Sequence, residues 1–264
     1  MPELAELRLT ASYINKVSEG LIFNKIAKNP IHKGIEVVSP FETFKISAES
    51  RGKELLLYLN DSKVAFPIRM NMGMAGHFQI TETGKESSHA HLKFYSDNGK
   101  TLSFVDVRRF GKWKPANEWS DNRGPDPTLE FNKFVLNITD NLNKSEFSKP
   151  IHLVLMNQKY FNGIGNYLRA EILYRIPLAN PFLSAREIIT QYPVILNLCK
   201  DIPTLAYIRG GGSIRDWKNP FGEDSLHTSF FKCYSNHLMS NIVDKNNRRF
   251  WYNPKWDNQI KQTI

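Results

Sequence analysis

The chain has 264 residues, 41% of them hydrophobic and 12% aromatic, enough to bury a core in one large domain or two ordinary ones; this excludes global disorder. A formal net charge of +9 points to a polyanionic partner, nucleic acid before acidic lipid. Two cysteines, Cys199 and Cys233, are too few for a disulfide scaffold, and no apolar run reaches the length of a membrane span.

The opening MPELAELRLT places a proline at a first helical position and glutamates in the first turn, and Leu4, Leu7, Ala11, Ile14 and Val17 recur at helical spacing. These residues lack the basic and apolar regions of a secretory signal, so a soluble chain in a reducing compartment is expected. From there to about residue 114 the pattern is β. FETFKIS, KELLLYL, AHLKFYS and TLSFVDV alternate or are rich in β-branched and aromatic residues, and SDNGK (96–100) reads as a hairpin turn. Many strands and one early helix predict a β-sandwich with a helix on its side.

WSDNRGPDPTLE (119–130) reads as a linker with little to bury. Helical periodicity follows in LEFNKFVLNITDNL, PIHLVLMN, NYLRAEILYRI and AREIITQYPVILNLC. GIGN (163–166) breaks two helical stretches, with Asn166 able to cap the next helix. RGGGSIRDWKNPFGED (209–224) reads as a flexible loop, then a short helical piece precedes a hairpin, SNIVDKNNRRFWYNP, with a polar tip at 244–247. Charge and layout together suggest a cleft for a rod-like polyanion.

The segments MPELAE (1–6), ISAESRGKELLL (46–57), MGMAGHF (72–78), VDVRRFGKW (105–113), QKYFNGIGNYLRAEILYR (158–175) and FKCY…DKNNRRFWY (231–252) spread over nearly the whole chain. In them the chain resembles the Fpg/Nei family of DNA glycosylase/AP lyases (formamidopyrimidine-DNA glycosylase and endonuclease VIII). It looks most like the endonuclease VIII-like branch whose terminal finger has lost its zinc. The stretch 158–175 is long and specific, whereas RGK or GMAG alone would be weak. The implied fold is α+β in two domains. A catalytic β-sandwich flanked by the first helix covers 1–118, a linker 119–130, a helix-two-turn-helix domain 131–227, a zincless β-hairpin finger 228–254 and a tail 255–264.

The resemblance gives the first residues a chemical role. Loss of Met1 leaves Pro2 as the terminal residue, whose secondary amine attacks C1′ of a damaged nucleotide. An α-amino group titrates near pH 8 against about 10.4 for lysine, so more of it is neutral and nucleophilic near pH 7. A secondary amine forms an iminium with no N–H to lose, which keeps a positive electron sink through elimination. Glu3 is placed to protonate the sugar ring oxygen. Glu6, one turn on, assists proton transfer or holds the amine's orientation. Lys53, at a turn feeding a strand, is the second essential cation by resemblance. Met74, Arg108 and Phe110 correspond to side chains that fill the hole left by a flipped nucleotide, work suited to a thioether, an aromatic wedge and an arginine facing the orphaned base. Lys159 and Asn166 are the phosphate contacts of the two-turn motif, with Gly163 and Gly165 supplying the turn. Arg248 aligns with the finger arginine beside the lesion, Arg249 being the near alternative.

The finger departs from the usual family pattern of two CxxC pairs on zinc. Cys233 stands alone, followed only by His237, so no metal is expected; Phe230, Phe250, Trp251 and Tyr252 would have to pack in its place. The loop 209–224 matches poorly, and Arg209, Arg215 and Trp217 are only candidates for base contact. The implied activity is excision of oxidised pyrimidines, formamidopyrimidines and hydantoins, with β,δ-elimination at the abasic site. The implied partner is DNA carrying oxidised bases or abasic sites. A monomer is expected, with no cofactor and no membrane, in the nucleus or another DNA-containing compartment. The alternative is a non-catalytic damaged-DNA-binding module of the same fold. The richness in Asn, Lys and Ile suits an AT-rich genome, a virus being one such source.

Overall fold

The computed structural model describes residues 2–212, 217–222, 230–244 and 246–260. They form two compact units, Met1–Ser120 with Ser213–Asp224, and Asp121–Gly212 with Ser225–Ile264.

The first unit begins with helix α1, Leu4–Val17. Eight strands follow among the described residues: β1 Phe23–Lys28, β2 Lys45–Arg51, β3 Glu54–Asn60, β4 Ala65–Asn71, β5 His77–Glu82, β6 Ala90–Ser96, β7 Lys100–Val105 and β8 Lys112–Pro115. They pair antiparallel in two sheets, ordered β1-β6-β7-β5 and β2-β3-β4-β8. One core cluster takes Phe23, Phe78, Leu92, Phe94 and Phe104 from the first sheet and Ile46, Leu55, Leu57, Leu59 and Ile68 from the second, which makes the expected sandwich. Alternate residues of β3 reach that core because successive side chains of a strand point to opposite faces. Leu7, Ala11 and Ile14 add the buried stripe of α1 to the same core. Asn15 fastens the helix to β2, donating from Nδ2 to the Ala48 carbonyl (2.9 Å) and accepting the Ala48 N–H (2.7 Å).

The sequence pattern had not singled out β1, β4, β5 or β8. β8 has only four residues, and β4 contains Pro67, which reads as a break. Pro67 stands opposite Tyr58 of β3, and its carbonyl accepts the Ala116 N–H just past the end of β8 (3.1 Å).

The second unit carries α2 Phe131–Thr139, α3 Ile151–Val154, α4 Asn166–Tyr174, α5 Ala185–Gln191, α6 Val194–Ile208, the hairpin β9 Ser240–Val243 and β10 Arg249–Tyr252, and α7 Asp257–Ile260. Phe134, Ile138, Phe147, Ile151, Phe161, Leu168, Ile172 and Ile195 are buried at its centre. The run AREIITQYPVILNLC is two helices rather than one. α5 starts on the Ser184 hydroxyl, which accepts the Glu187 N–H, and it stops at Tyr192 ahead of Pro193, since a residue before proline is pushed out of the helical region. Residues 230–239 are turns and bends; residues 223–229, on which the rest of the expected short helical piece falls, lie outside the described residues.

Two boundaries differ from the sequence reading. Residues 217–222 group with the first unit: Trp217 is buried, and the Phe221 ring stands edge-on to Tyr13 of α1, centroids 5.5 Å apart. The segment 121–130 belongs to the second unit and is firmly held there. Gly124 donates to the Gln158 carbonyl (2.9 Å), and Asp126 is buried, with Oδ1 accepting from Thr128 N–H, Thr128 Oγ1 and Leu129 N–H. A proline- and aspartate-rich composition signals turns but does not tell an exposed linker from a seated one. Among the described residues no helix is long and apolar enough to cross a membrane.

Candidate functional site

Pro2 and Glu3 stand just ahead of α1 and Glu6 in its first turn, so Pro2 is not the first helical residue that the sequence suggests; all three are buried. Glu3 is the N-cap residue; its N–H donates to Glu6 Oε2 at 2.7 Å in a capping-box arrangement. The helix start thereby fixes one carboxylate against the backbone directly after Pro2. Lys53 is the second residue of the two-residue turn joining β2 to β3, behind Gly52 (φ 58°), the position where a type II′ hairpin turn wants glycine. Lys53 is only 7% exposed, unusual for a lysine and unlike the surface lysine a hairpin end would carry by default.

Met74 and the pair Arg108–Phe110 stand on loops that pack against each other. Gly73 (φ 62°) lies so close that an added Cβ would come within 2.7 Å of both the Gly111 N and the Phe110 carbonyl carbon. Met74 is half-buried and outside the core cluster, so it is not core filling. Phe110 is 51% exposed, with the Arg108 guanidinium 5.0 Å from its ring centroid. The sequence reading missed Asp106, which shapes this loop. Fully buried, it accepts Arg108 N–H on Oδ1 (3.1 Å) and Gly111 N–H on Oδ2 (2.7 Å). An aspartate that accepts the N–H two residues on is a familiar turn signal, and DVR carries it. His91 Nε2 faces the Asp106 carbonyl at 2.9 Å, and burial lowers the pKa of His91 and of its neighbour His32.

In the second unit the Gln158 side chain closes the two-turn motif. Its amide nitrogen, Nε2, donates to the carbonyls of Met156 and Ile164, and its Oε1 accepts the N–H of Gly163, which has φ 92°. Lys159 is exposed on this turn. Gly165, not Asn166, is the N-cap of α4. The Asn166 side chain is taken up elsewhere: Nδ2 donates to the Arg249 carbonyl (2.9 Å), and Oδ1 accepts from Arg169 Nη2 (2.6 Å). This residue therefore ties α4 to the hairpin. Arg248 is exposed at the hairpin tip and lines a hollow of about 130 Å³ with Lys149, Arg169 and Asp244. Arg209 ends α6, and Arg215 lies outside the described residues.

Among the described residues the finger offers no donor set for a structural zinc. Cys233 is buried, its thiol pushed up to about 12 by burial and by Glu171. Among the described residues no group of three or more His, Cys, Asp or Glu could hold a metal ion. Polar anchors stand in the finger instead. Glu171, fully buried on α4, accepts the consecutive backbone N–H groups of Lys232, Cys233 and Tyr234 and pairs with Arg175 at 2.5 Å. Arg169, also fully buried, meets Asp244 at 3.3 Å. Phe250 and Tyr252 are buried, and His152 stacks on Phe250 with centroids 4.8 Å apart.

The model of the formamidopyrimidine-DNA glycosylase N-terminal domain matches residues 1–113. The chain is 35% identical to Endonuclease 8-like 1 of Mus musculus, covering 96% of this chain and 72% of the relative, and 34% identical to that of Homo sapiens. It is 29% identical to a formamidopyrimidine-DNA glycosylase of Streptococcus pneumoniae, over 89% of this chain and 88% of the other. In fold it is similar to the Fpg (MutM) protein of Thermus thermophilus, with TM-score 0.80, 20% identity and coverage of 97% and 98%. It is also similar to Lactococcus lactis Fpg in complex with N7-benzyl-Fapy-dG-containing DNA, with TM-score 0.78, 20% identity and coverage of 97% and 99%. The chain belongs to the Fpg/Nei family of DNA glycosylases, and its likeness runs toward the endonuclease VIII-like members.

Proposed function

We propose that this DNA glycosylase is also an AP lyase. It excises oxidised pyrimidines, formamidopyrimidines and hydantoins in preference to intact 8-oxoguanine. The buried first turn of α1, with Pro2 ahead of a Glu3–Glu6 capping arrangement, carries the reading, in a chain of this family. Once Met1 is removed, the neutral Pro2 nitrogen attacks C1′, the bond from C1′ to the base breaks, and the proton shed by the Pro2 nitrogen goes to the departing base. Glu3 protonates O4′, the sugar ring opens, and the C1′–N bond becomes an iminium. Loss of a C2′ proton to that electron sink expels the 3′ phosphate. Loss of a C4′ proton then expels the 5′ phosphate, and water releases the sugar fragment from Pro2. Glu6, held by the Glu3 N–H, fixes the direction of the helix start. Lys53 grips a phosphate near the lesion, and Lys159, Arg248 and the α4 start contact others. Met74, Phe110 and Arg108 fill the vacated stack. This chemistry needs no cofactor, and a monomer suffices for it.

Borohydride trapping tests the reading. Met-processed protein is mixed with an oligonucleotide carrying an abasic site or thymine glycol, then reduced. A covalent adduct mapped to the Pro2 peptide is expected. DNA binding with neither adduct nor nick at protein excess would show a binding module instead.

A further inference from the structure

Arg248 stands exposed at the hairpin tip, so its position depends on what holds that tip in place. We infer that the buried Arg169–Asp244 pair is the positioning device for Arg248, an ionic strap from α4 to the hairpin tip. This inference rests on the proposed reading of Arg248 as a phosphate contact.

The geometry is continuous. Arg169 is fully buried in the first turn of α4, and its terminal nitrogens are spent on fixed partners. Nη1 donates to the His152 carbonyl (3.0 Å), Nη2 to Asn166 Oδ1 (2.6 Å), and both to Asp244 Oδ2 (3.3 Å). The guanidinium also lies 4.9 Å from the Phe250 ring centroid, inside the hairpin. Asp244 uses its other oxygen differently: Oδ1 accepts the N–H of Asn246 (2.9 Å) and of Arg248 (3.0 Å). The Asp244 N–H donates to the Arg248 carbonyl, and Asn247 takes a left-handed φ of 57° to close the tip. One carboxylate thus faces the helix with one oxygen and the backbone of Arg248 with the other. Its side chain is only 3% exposed.

A buried ion pair is a poor source of net stability, because desolvation offsets the attraction; its best-attested use is to fix register. The residue whose register is fixed here is Arg248. Arg169 and Asp244 touch no DNA in this account; they act through Arg248.

The test uses the full chain and a duplex carrying a tetrahydrofuran abasic-site analogue, which binds without being cut. Affinity and its salt dependence are measured for Arg248→Ala, Arg169→Met, Asp244→Asn and the double variants with Arg248→Ala; thermal melting checks folding. Asp244→Asn is nearly isosteric and makes the protein more positive. Bulk charge then predicts tighter binding, whereas loss of positioning predicts weaker binding. We expect Asp244→Asn and Arg169→Met each to weaken binding several-fold and to flatten the salt slope by about 0.9, the contribution of one phosphate. In the Arg248→Ala background their further effect should fall within a factor of about two, the scatter of independent sites. The inference is overturned if Asp244→Asn binds as well as wild type or better, if the effects add in full to Arg248→Ala, or if neither variant folds, since the pair then serves stability. If Arg248→Ala alone leaves affinity and slope unchanged, the failure lies in the reading of Arg248. If Arg248→Ala weakens binding while the strap variants do not, the failure lies in the strap.

Discussion

Glu3 and Pro2 make separable contributions if the proposed chemistry holds. Protonation of O4′ by Glu3 matters most while the base is still attached, because an abasic site already opens to its aldehyde. Glu3→Gln should therefore lower base excision by about 10²–10⁴-fold, the usual worth of a positioned acid, and lower nicking of a preformed abasic site far less. Single-turnover assays on the two substrates check this; equal losses on both would count against Glu3 as the acid. Pro2→Ala keeps a terminal amine but makes it primary, so trapping should persist at a reduced rate while the fixed iminium is lost. Complete indifference to Pro2→Ala would sink the need for a secondary amine at this position. Their place at the start of α1 was legible from chain order, while the roles proposed for them came from the family resemblance. The roles of Arg169 and Glu171 were not legible, because each acts on backbone groups or charges supplied by distant parts of the chain, whereas Asp106 acts on its own loop and its turn signal in DVR was passed over. Asp244 lies 75 residues from Arg169, and Cys233 N–H lies 62 from Glu171.

At the scale of elements, the two exposed features most open to test are the wedge loops and the hairpin. Gly73→Ala demands a Cβ at a φ of 62° and within 2.7 Å of two backbone atoms of the 110–111 loop, and neither atom belongs to a flexible side chain. The loops must part, at a cost of about 1–3 kcal/mol in strain, and lesion binding should weaken with them. Thermal melting and lesion-duplex affinity measure the two effects; wild-type values for both would mean the loops are not coupled. The hairpin should be acid-sensitive. Burial pushes the His152 pKa down from 6.5 to about 4; Arg169 also lowers it, while Asp244 and the bond to Pro181 oppose the shift. The unfolded state then binds the proton first, so this contribution is complete above pH 6.5 and is lost as pH falls toward 4, amounting to about 3 kcal/mol. Urea unfolding between pH 7 and 5, where carboxylates stay largely ionised, should show a smaller pH slope in His152→Gln than in wild type, by about one proton. The same slope in both would place the proton uptake elsewhere, with His32 and His91 the next candidates since their shifts have the same sign. A hairpin here was readable from its aromatic strand and polar tip. The helix broken at Pro193 was not, because the apolar spacing runs straight through it.

At the scale of the whole chain, composition marks an acidic, proline-rich stretch from Trp119, and the two units part between Ser120 and Asp121. It could not foresee that 217–222 return to the first unit, since that is settled by contacts such as Phe221 on Tyr13. The net charge of +9 raises a related question, whether DNA is held by overall charge or by placed cations. Each phosphate neutralised on duplex DNA adds about 0.9 to the slope of log K against log salt. With Lys53, Lys159 and Arg248 each on one phosphate, the slope should be about −2.7 or steeper. Steepness alone does not separate the two pictures, because diffuse charge is also screened by salt. Two single substitutions do. Lys159→Ala removes a cation from the two-turn motif, and Lys63→Ala removes an equal charge from the exposed turn between β3 and β4. Both variants have the same net charge. Placed contacts predict that Lys159→Ala flattens the slope by about 0.9 while Lys63→Ala leaves it unchanged. Equal small changes in both would mean that the field of the whole protein holds the DNA and that the two-turn motif has no phosphate of its own.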